Sequence, residues 1–449
     1  MSVVKAGLRR FASLTIMAAG VVGAMVIGCG ATAAVAAPVV TDDFATLPPG
    51  SRPIALAVAD DGSVFTANSG SDSVTKLRPD GTRDPAFGGA LPTGALPFTL
   101  AYGDGAVFVT SVVLNKLWML DATSGEIDSS FDTMLGRVLD GRHPTAVTTD
   151  HAGHVFVLAS GDQRVVEVSR AGSVLAEYPL DASAETQSLS FGDDGVLYAA
   201  NSGDGTVSRI VFDRLGHGTV ETAWAALSPG VRPQGLAFDH HGFVYAVSSA
   251  HETVSKIDQR LPSGVNVIAE YRLPGSFPFG IASDALGNVY TSNIGDNTVS
   301  MFPVDGSPAA TIATLSGSPD AEAITADAHG GLFTANFGSD GVSHIELAPR
   351  LTSPLPTAAG TVGVPVSFTM TASGLDPISF SAAGTLPFGL VLDPTSGVVS
   401  GTPTSTGTFR FDLVATNAIG ISGPQRVTIS IAPAEGSTGC WYWLEPCGV

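Results

Sequence analysis

The sequence predicts an all-β chain: a seven-bladed β-propeller followed by a small C-terminal β-sandwich. Three observations predict it. A thirteen-residue stretch recurs seven times, beginning at Gly62, Gly105, Gly153, Gly195, Gly242, Gly287 and Gly330, at spacings of 42 to 48 residues. In every copy a Val or Leu stands two places after the glycine, a Phe or Tyr three places after it, and a Val or Leu closes the stretch. Beyond Arg350 the period stops and short alternating apolar runs replace it. A constant core with length variation confined to the connections marks a repeated structural unit.

Each unit reads as four antiparallel strands. The first precedes the glycine, as in PIALAVADD from Pro53 and PFGIASDAL from Pro278. Asp and Gly close it, because both suit the backbone of a tight turn. The second carries the aromatic, as in GNVYTSN from Gly287; β-branched and aromatic side chains suit a packed pleated face. A turn of Ser, Gly, Asp and Asn follows. The third strand starts at the closing apolar residue, as in VSKIDQ from Val254, and the fourth is weaker, as in VLAEYPL from Val174 and VIAEYRL from Val267. Four strands at this period match a propeller blade; the rival, an open β-solenoid, usually has shorter repeats. The seventh unit has no fourth strand of its own. PVVTDDFATL, Pro38 to Leu47, stands where a fourth strand stands in other units. It is expected to complete the seventh blade, since an open joint would leave an unpaired edge.

The chain's first forty residues differ from the rest. Lys5, Arg9 and Arg10 precede an apolar run, Ala12 to Gly28, and Ala34-Val35-Ala36 offers a small-x-small cleavage site. Residues 1–36 are therefore expected to be a secretory signal. A second route stays open: Val26-Ile27-Gly28-Cys29 resembles a lipoprotein box, with Cys29 the lipidated residue. Either route exports the chain to a secreted or cell-surface location, with no membrane span left after signal cleavage. The formal net charge of -20 opposes nucleic acid and anionic membranes as partners. Cys440 and Cys447 lie in the tail, residues 433–449, around Trp441, Tyr442 and Trp443. In an oxidising compartment two such cysteines are expected to form a local disulfide; linkage between chains is the alternative.

Two resemblances follow from these motifs. Tyr290-Thr291-Ser292-Asn293 followed by Asn297-Thr298-Val299-Ser300 resembles the NHL and YVTN-type propeller families, over residues 38–350. Secreted seven-bladed bacterial proteins are among them. GTLPFGLVLDPTSGVVSGTPTSTGTFRFDLVATN, Gly384 to Asn417, resembles the Ig-like domains of bacterial exported proteins, over residues 351–432. That resemblance implies an Ig-like sandwich of the spacer or adhesion type. Some such domains bind calcium, for which Asp376, Asp393 and Asp412 are the only carboxylates to consider; isolated loop aspartates more simply favour turns.

A propeller carries its ligand over the central channel, lined by the inner strands. The positions just before the inner-strand cores are Ile54, Phe98, Thr145, Gln187, Gln234, Phe279 and Glu322. Gln187, Gln234, Phe279 and Glu322 are the candidate binding residues. The repeats also resemble those of streptogramin lyases, which use Mg2+ with acidic and histidine residues. Their Trp-Phe-Thr-Glu motif reads here Phe65-Thr66-Ala67-Asn68, Tyr290-Thr291-Ser292-Asn293 and Phe333-Thr334-Ala335-Asn336. The Glu is gone, so no catalytic residue and no metal ligand is assigned. His151, His240, His241 and His329 read as polar turn residues. His143 and Glu185, also near inner-strand starts, would make an acid–base set with Glu322. No phosphate-binding loop, dinucleotide fingerprint, nucleophile elbow or zinc-helix motif occurs. The expected function is recognition of an extracellular protein or carbohydrate, without a cofactor. The alternative is a propeller enzyme, a Mg- or Ca-dependent lyase or lactone hydrolase; a third reading is a purely structural wall-associated repeat protein.

Overall fold

The computed structural model describes residues 38–434, apart from 132–138, 151, 305, 307, 318, 328–329, 353–356 and 376. The expected signal segment, Cys29, His151, His329, Asp376 and the tail with Cys440 and Cys447 lie outside the described residues. The expectation of a disulfide bond is corrected: none is present among the described residues. A disulfide holds its sulfurs about 2 Å apart, and proximity in sequence alone does not impose that separation.

The described chain is all-β. Seven antiparallel sheets resembling propeller blades follow one another, and an Ig-like region of further sheets ends the chain. The third to seventh sheets have four strands. The first (Pro53–Val58, Val64–Asn68, Ser73–Leu77) and the second (Leu100–Gly103, Ala106–Ser111, Lys116–Asp121) have three among the described residues. Where a fourth strand was expected in the first sheet, only isolated bridges occur, Ser73 to Ala90 and Leu77 to Arg83. The reason is compositional: Pro79, Pro85, Pro92 and Pro97 punctuate that connection, and proline cannot donate to a strand ladder.

The repeated glycine has one backbone role throughout. All seven copies have positive φ, from 71° at Gly195 to 94° at Gly242, a region closed to most L side chains. The turn they make aims the following aromatic inward. Phe65, Phe108, Phe156, Tyr198, Tyr245 and Tyr290 are among the largest fully buried side chains, one in each of the first six sheets. Tyr290 gives its hydroxyl to Asp284 at 2.7 Å, which satisfies the one polar atom the ring carries inside.

A second repeated device is a buried asparagine that ends the second strand. Thr291 Oγ1 donates to Asn293 Oδ1 at 2.9 Å, and Asn293 Nδ2 donates to Thr298 Oγ1 and Ser300 Oγ, both at 2.9 Å. Asn68 and Asn336 clamp their sheets in the same way, and Asn201 does so with Thr186 of the first strand as its donor. These are the places where the lyase-like motif would carry Glu, and here they lie fully inside the sheet. Asn293→Ala takes this partner from the buried Thr291 and Ser300 hydroxyls, while Thr298 keeps its bond to Asp296. It should cost about 2–3 kcal/mol, read as a lowered unfolding midpoint; an unchanged midpoint contradicts the clamp.

The N-terminal strand, Val39–Thr46, pairs antiparallel with Gly341–Glu346 of the seventh sheet, from Val39 opposite Glu346 to Thr46 opposite Gly341. Ala45 and Leu47 are buried beside Val64, Leu77, Phe333 and Val342. The first strand of each sheet lies against the first strand of the next, and that of the seventh, Ala321–Ala326, lies against Pro53–Val58 of the first. The loops repeat the same joint. The Asp72 carboxylate accepts the backbone N–H of Gly94 and Leu96, both at 2.7 Å, as the chain enters the second sheet. Asp340 accepts those of Gly50 and Arg52, at 2.7 and 2.8 Å, across 290 and 288 positions of sequence.

The Ig-like region has a four-stranded sheet, in which Thr357–Thr361 pairs parallel with Gln425–Ala432, and a three-stranded one. Phe380, Leu390, Val399, Phe411, Leu413 and Ile429 fill the space between them. Asn417 Nδ2 donates to the carbonyls of Leu347 and Leu375, both at 2.8 Å, fastening this region to the end of the seventh sheet.

Candidate functional site at the starts of the first strands

A cavity of about 450 Å³ is lined by the first strands of all seven sheets. Two local devices build its wall. In five sheets a β-bulge opens the first strand: the register slips between Pro53 and Ala55, Pro144 and Ala146, Thr186 and Ser188, Pro278 and Gly280, and Ala321 and Ala323. The residue left without a partner is Ile54, Thr145, Gln187, Phe279 or Glu322. A bulge re-aims the side chain it carries. Two places earlier the backbone is left-handed at Arg52, Leu96, His143, Glu185, Phe277 and Asp320, with φ between 41° and 50°. Six non-glycine residues in that region at equivalent places mark a shared constraint, of the kind that clusters at ligand-facing surfaces.

All four candidates, Gln187, Gln234, Phe279 and Glu322, line this cavity, with Ile54 and Phe98. Thr145 does not; Ala146 takes its place. Gln187 is exposed and donates to the Glu185 carbonyl at 3.1 Å. Gln234 accepts from Ser249 Oγ at 2.8 Å and donates to the Phe279 carbonyl at 3.4 Å. Glu322 is the cavity's one carboxylate. Burial pushes its pKa above the ordinary value, and repulsion from Asp320 adds to the effect.

That shift has a stability consequence. A carboxyl with a raised folded-state pKa contributes stability that is full below its ordinary value of 4.5 and is lost as pH rises through the raised value. Glu322→Gln cannot ionise. It should melt above the native chain at pH 8, and the difference should fade near pH 4. A native chain that melts higher at pH 8 contradicts this.

The wider acid–base set does not assemble. Glu185 pairs with Arg232 at 3.0 Å, and His143 Nδ1 faces the Val112 carbonyl oxygen at 3.4 Å. His240 lines a second cavity, of about 310 Å³, at the opposite ends of the first strands, with Asp193 and Ser283. Its ring is held between the Asp193 carboxylate and the Asp284 carbonyl. His241 faces the carbonyl of Asp239 at 2.6 Å. Among the described residues no three His, Cys, Asp or Glu side chains stand together as a metal-holding group. One carboxylate does not match the donor set of a divalent cation. Of the Ig-like region's aspartates, Asp393 caps its own turn by accepting the N–H of Thr395 and Ser396, and Asp412 is paired with Arg426 at 2.9 Å. Among the described residues no helix is long and apolar enough to cross a membrane.

Blade-like sheets in series, a cavity at the starts of their first strands and an Ig-like C-terminal region define a propeller/Ig architecture. Residues 348–432 match the family model described as "Putative Ig domain". No curated protein matches the chain. Among solved structures it is similar to a streptogramin B lyase, at 16% identity and TM-score 0.57, over 69% of this chain and 98% of that one. It is similar to the virginiamycin B lyase of Staphylococcus aureus at 17% identity and TM-score 0.57, over 69% and 99%. It is also similar to U3-55K, at 14% identity and TM-score 0.52, over 68% and 98%. The relation to the seven-bladed streptogramin-lyase propeller is thus distant, and at these identities it is a likeness of fold alone.

Proposed function

We propose that this chain is an exported recognition protein, secreted or held at the cell surface, whose seven sheets close into a propeller that presents one mouth to an extracellular carbohydrate or protein. The observation that carries this reading is the single cavity lined by all seven first strands, with two carboxamides, two phenylalanines and one carboxylate on its wall. Carboxamides both donate and accept, and aromatic faces add apolar contact; that mixture suits recognition rather than a metal-activated step. Closure is supported by the Asp340 contacts to Gly50 and Arg52, which repeat the Asp72 joint between consecutive sheets. Residues 38–350 then form the propeller, 351–432 an Ig-like spacer, and 1–36 the export signal. The streptogramin-lyase likeness supports the propeller and not the chemistry, because Glu322 stands as the cavity's lone carboxylate.

The test is binding of the full mature chain to an array of bacterial and host glycans and surface proteins, native against the Gln187→Ala/Gln234→Ala double variant. Saturable binding that the double variant weakens at least tenfold is expected. Equal binding by the two overturns the mouth as the recognition surface.

A further inference from the structure

Seven copies of one turn allow each to be judged against the others. The turn after the second strand reads Ser-Gly-Ser-Asp, Ser-Gly-Asp-Gln or a similar polar sequence in most copies, and no other copy holds more than one large apolar residue. The second copy reads Val112-Val113-Leu114-Asn115. These side chains are not drawn into the core: Val113 is 59% exposed and Leu114 37%. Beside them the chain enters the second sheet through Leu96 and Phe98, themselves 46% and 37% exposed. The two segments are tied together, since Ser111 Oγ donates to the Ala95 carbonyl and Phe98 N–H donates to the Thr110 carbonyl at 2.9 Å. Leu96 is held in its left-handed conformation, φ 41°, by the Asp72 carboxylate. Four large apolar side chains thus make one exposed ridge, and Phe98 carries it into the cavity.

The other side of the cavity differs in kind. Gln187 and Gln234 belong to the fourth and fifth sheets, which stand across a seven-membered ring from the first and second. The mouth is therefore uneven: carboxamides stand at the fourth and fifth sheets, the sixth adds Phe277 and Phe279, and the second alone continues into a turn with two exposed apolar side chains, Val113 and Leu114.

We infer that the mouth binds an uncharged amphiphile, an alkylated or acylated sugar, with its hydroxyl-bearing head against Gln187 and Gln234 and its apolar chain along Phe98, Leu96, Val113 and Leu114. The inference rests on the mouth reading above and names its ligand class. A cavity of about 450 Å³ admits one small molecule. Carboxamides match hydroxyls as donors and acceptors alike. The lone Glu322 and the net charge of -20 oppose an anionic head such as a phosphate or carboxylate. An apolar ridge that leaves the cavity and stays in water gains free energy when a hydrocarbon chain covers it.

The probes are octyl β-D-glucopyranoside below its micelle concentration and glucose, titrated calorimetrically into the full mature chain. Octyl glucoside should bind saturably and at least tenfold tighter than glucose. In the Val113→Ser/Leu114→Ser variant, shown by its melting curve to be folded, that preference should shrink at least fivefold. An unchanged preference overturns the inference; if Gln187→Ala/Gln234→Ala still weakens sugar binding, the mouth reading survives it. No saturable binding of octyl glucoside overturns the inference outright. Binding to vesicles bearing alkyl glucoside, without binding of the dispersed monomer, places the ligand in a membrane and also overturns it.

Discussion

Deleting residues 38–47 should abolish the cooperative unfolding of the native chain. The segment supplies the outermost strand of the seventh sheet, paired from Val39 through Thr46. It also supplies Ala45 and Leu47 to an apolar cluster shared between the seventh and first sheets, while the Phe44 ring packs on Phe333 at 5.3 Å. Losing these apolar contacts costs roughly 1–3 kcal/mol for each large side chain. Gly341–Glu346 would become an open edge, ready to pair with another chain. Together these losses approach the whole stability of an ordinary domain, about 5–15 kcal/mol. Aggregation, or a broad melt with no cooperative peak, is expected in scanning calorimetry. The exposed Asp43→Asn substitution in the same strand should melt like the native chain. A deletion variant that melts cooperatively within a few degrees of the native chain would show that the seventh sheet does without this strand.

Gly287→Val should be the most damaging single substitution among the repeated glycines. Gly287 has φ 90°, and a Cβ there would stand 1.9 Å from the Asp239 carbonyl oxygen, a backbone atom that cannot step aside. Left-handed backbone costs a β-branched residue about 1–2 kcal/mol by itself. The overlap adds more, for a total of about 4 kcal/mol or above, in the range reserved for named structural defects. Gly105 occupies the same place in the second copy, with φ 72° and open space where its Cβ would go. Gly105→Ala should therefore cost only about 1–2 kcal/mol. Urea denaturation of the two variants side by side checks the contrast. Equal losses would mean that the turn conformation matters and the neighbouring carbonyl does not.

The repeat was legible because its signals are local. A glycine with positive φ, a β-branched residue and an aromatic at fixed offsets are visible in one dimension, and the structure uses them as such. The places along the cavity were legible for the same reason, since they stand eight positions before the glycine in six sheets and seven before it in the second. What the sequence concealed is how those places come to face a cavity. The bulges at Ile54, Gln187, Phe279 and Glu322, and the left-handed backbone at Leu96 and Phe277 two places earlier, are carried by ordinary residues with no turn chemistry of their own. The asparagine clamp did have a signal, complete at Asn68 and Asn293: a hydroxyl two places before the Asn and others five and seven places after it. Beside a lyase motif that signal reads as a missing Glu, whereas in the structure the place faces the inside of a sheet. The first sheet's expected fourth strand failed on proline, a conflict already visible in Pro79 to Pro97.

The central claim is that recognition occurs at the starts of the seven first strands. Hydrogen–deuterium exchange of the full mature chain, with and without saturating octyl glucoside, tests it most directly. The account predicts slowed exchange at residues 96–100, 112–115, 185–189 and 232–236, with the Ig-like region unchanged. Slowed exchange confined to the Ig-like sheets or to the outer strands would contradict it.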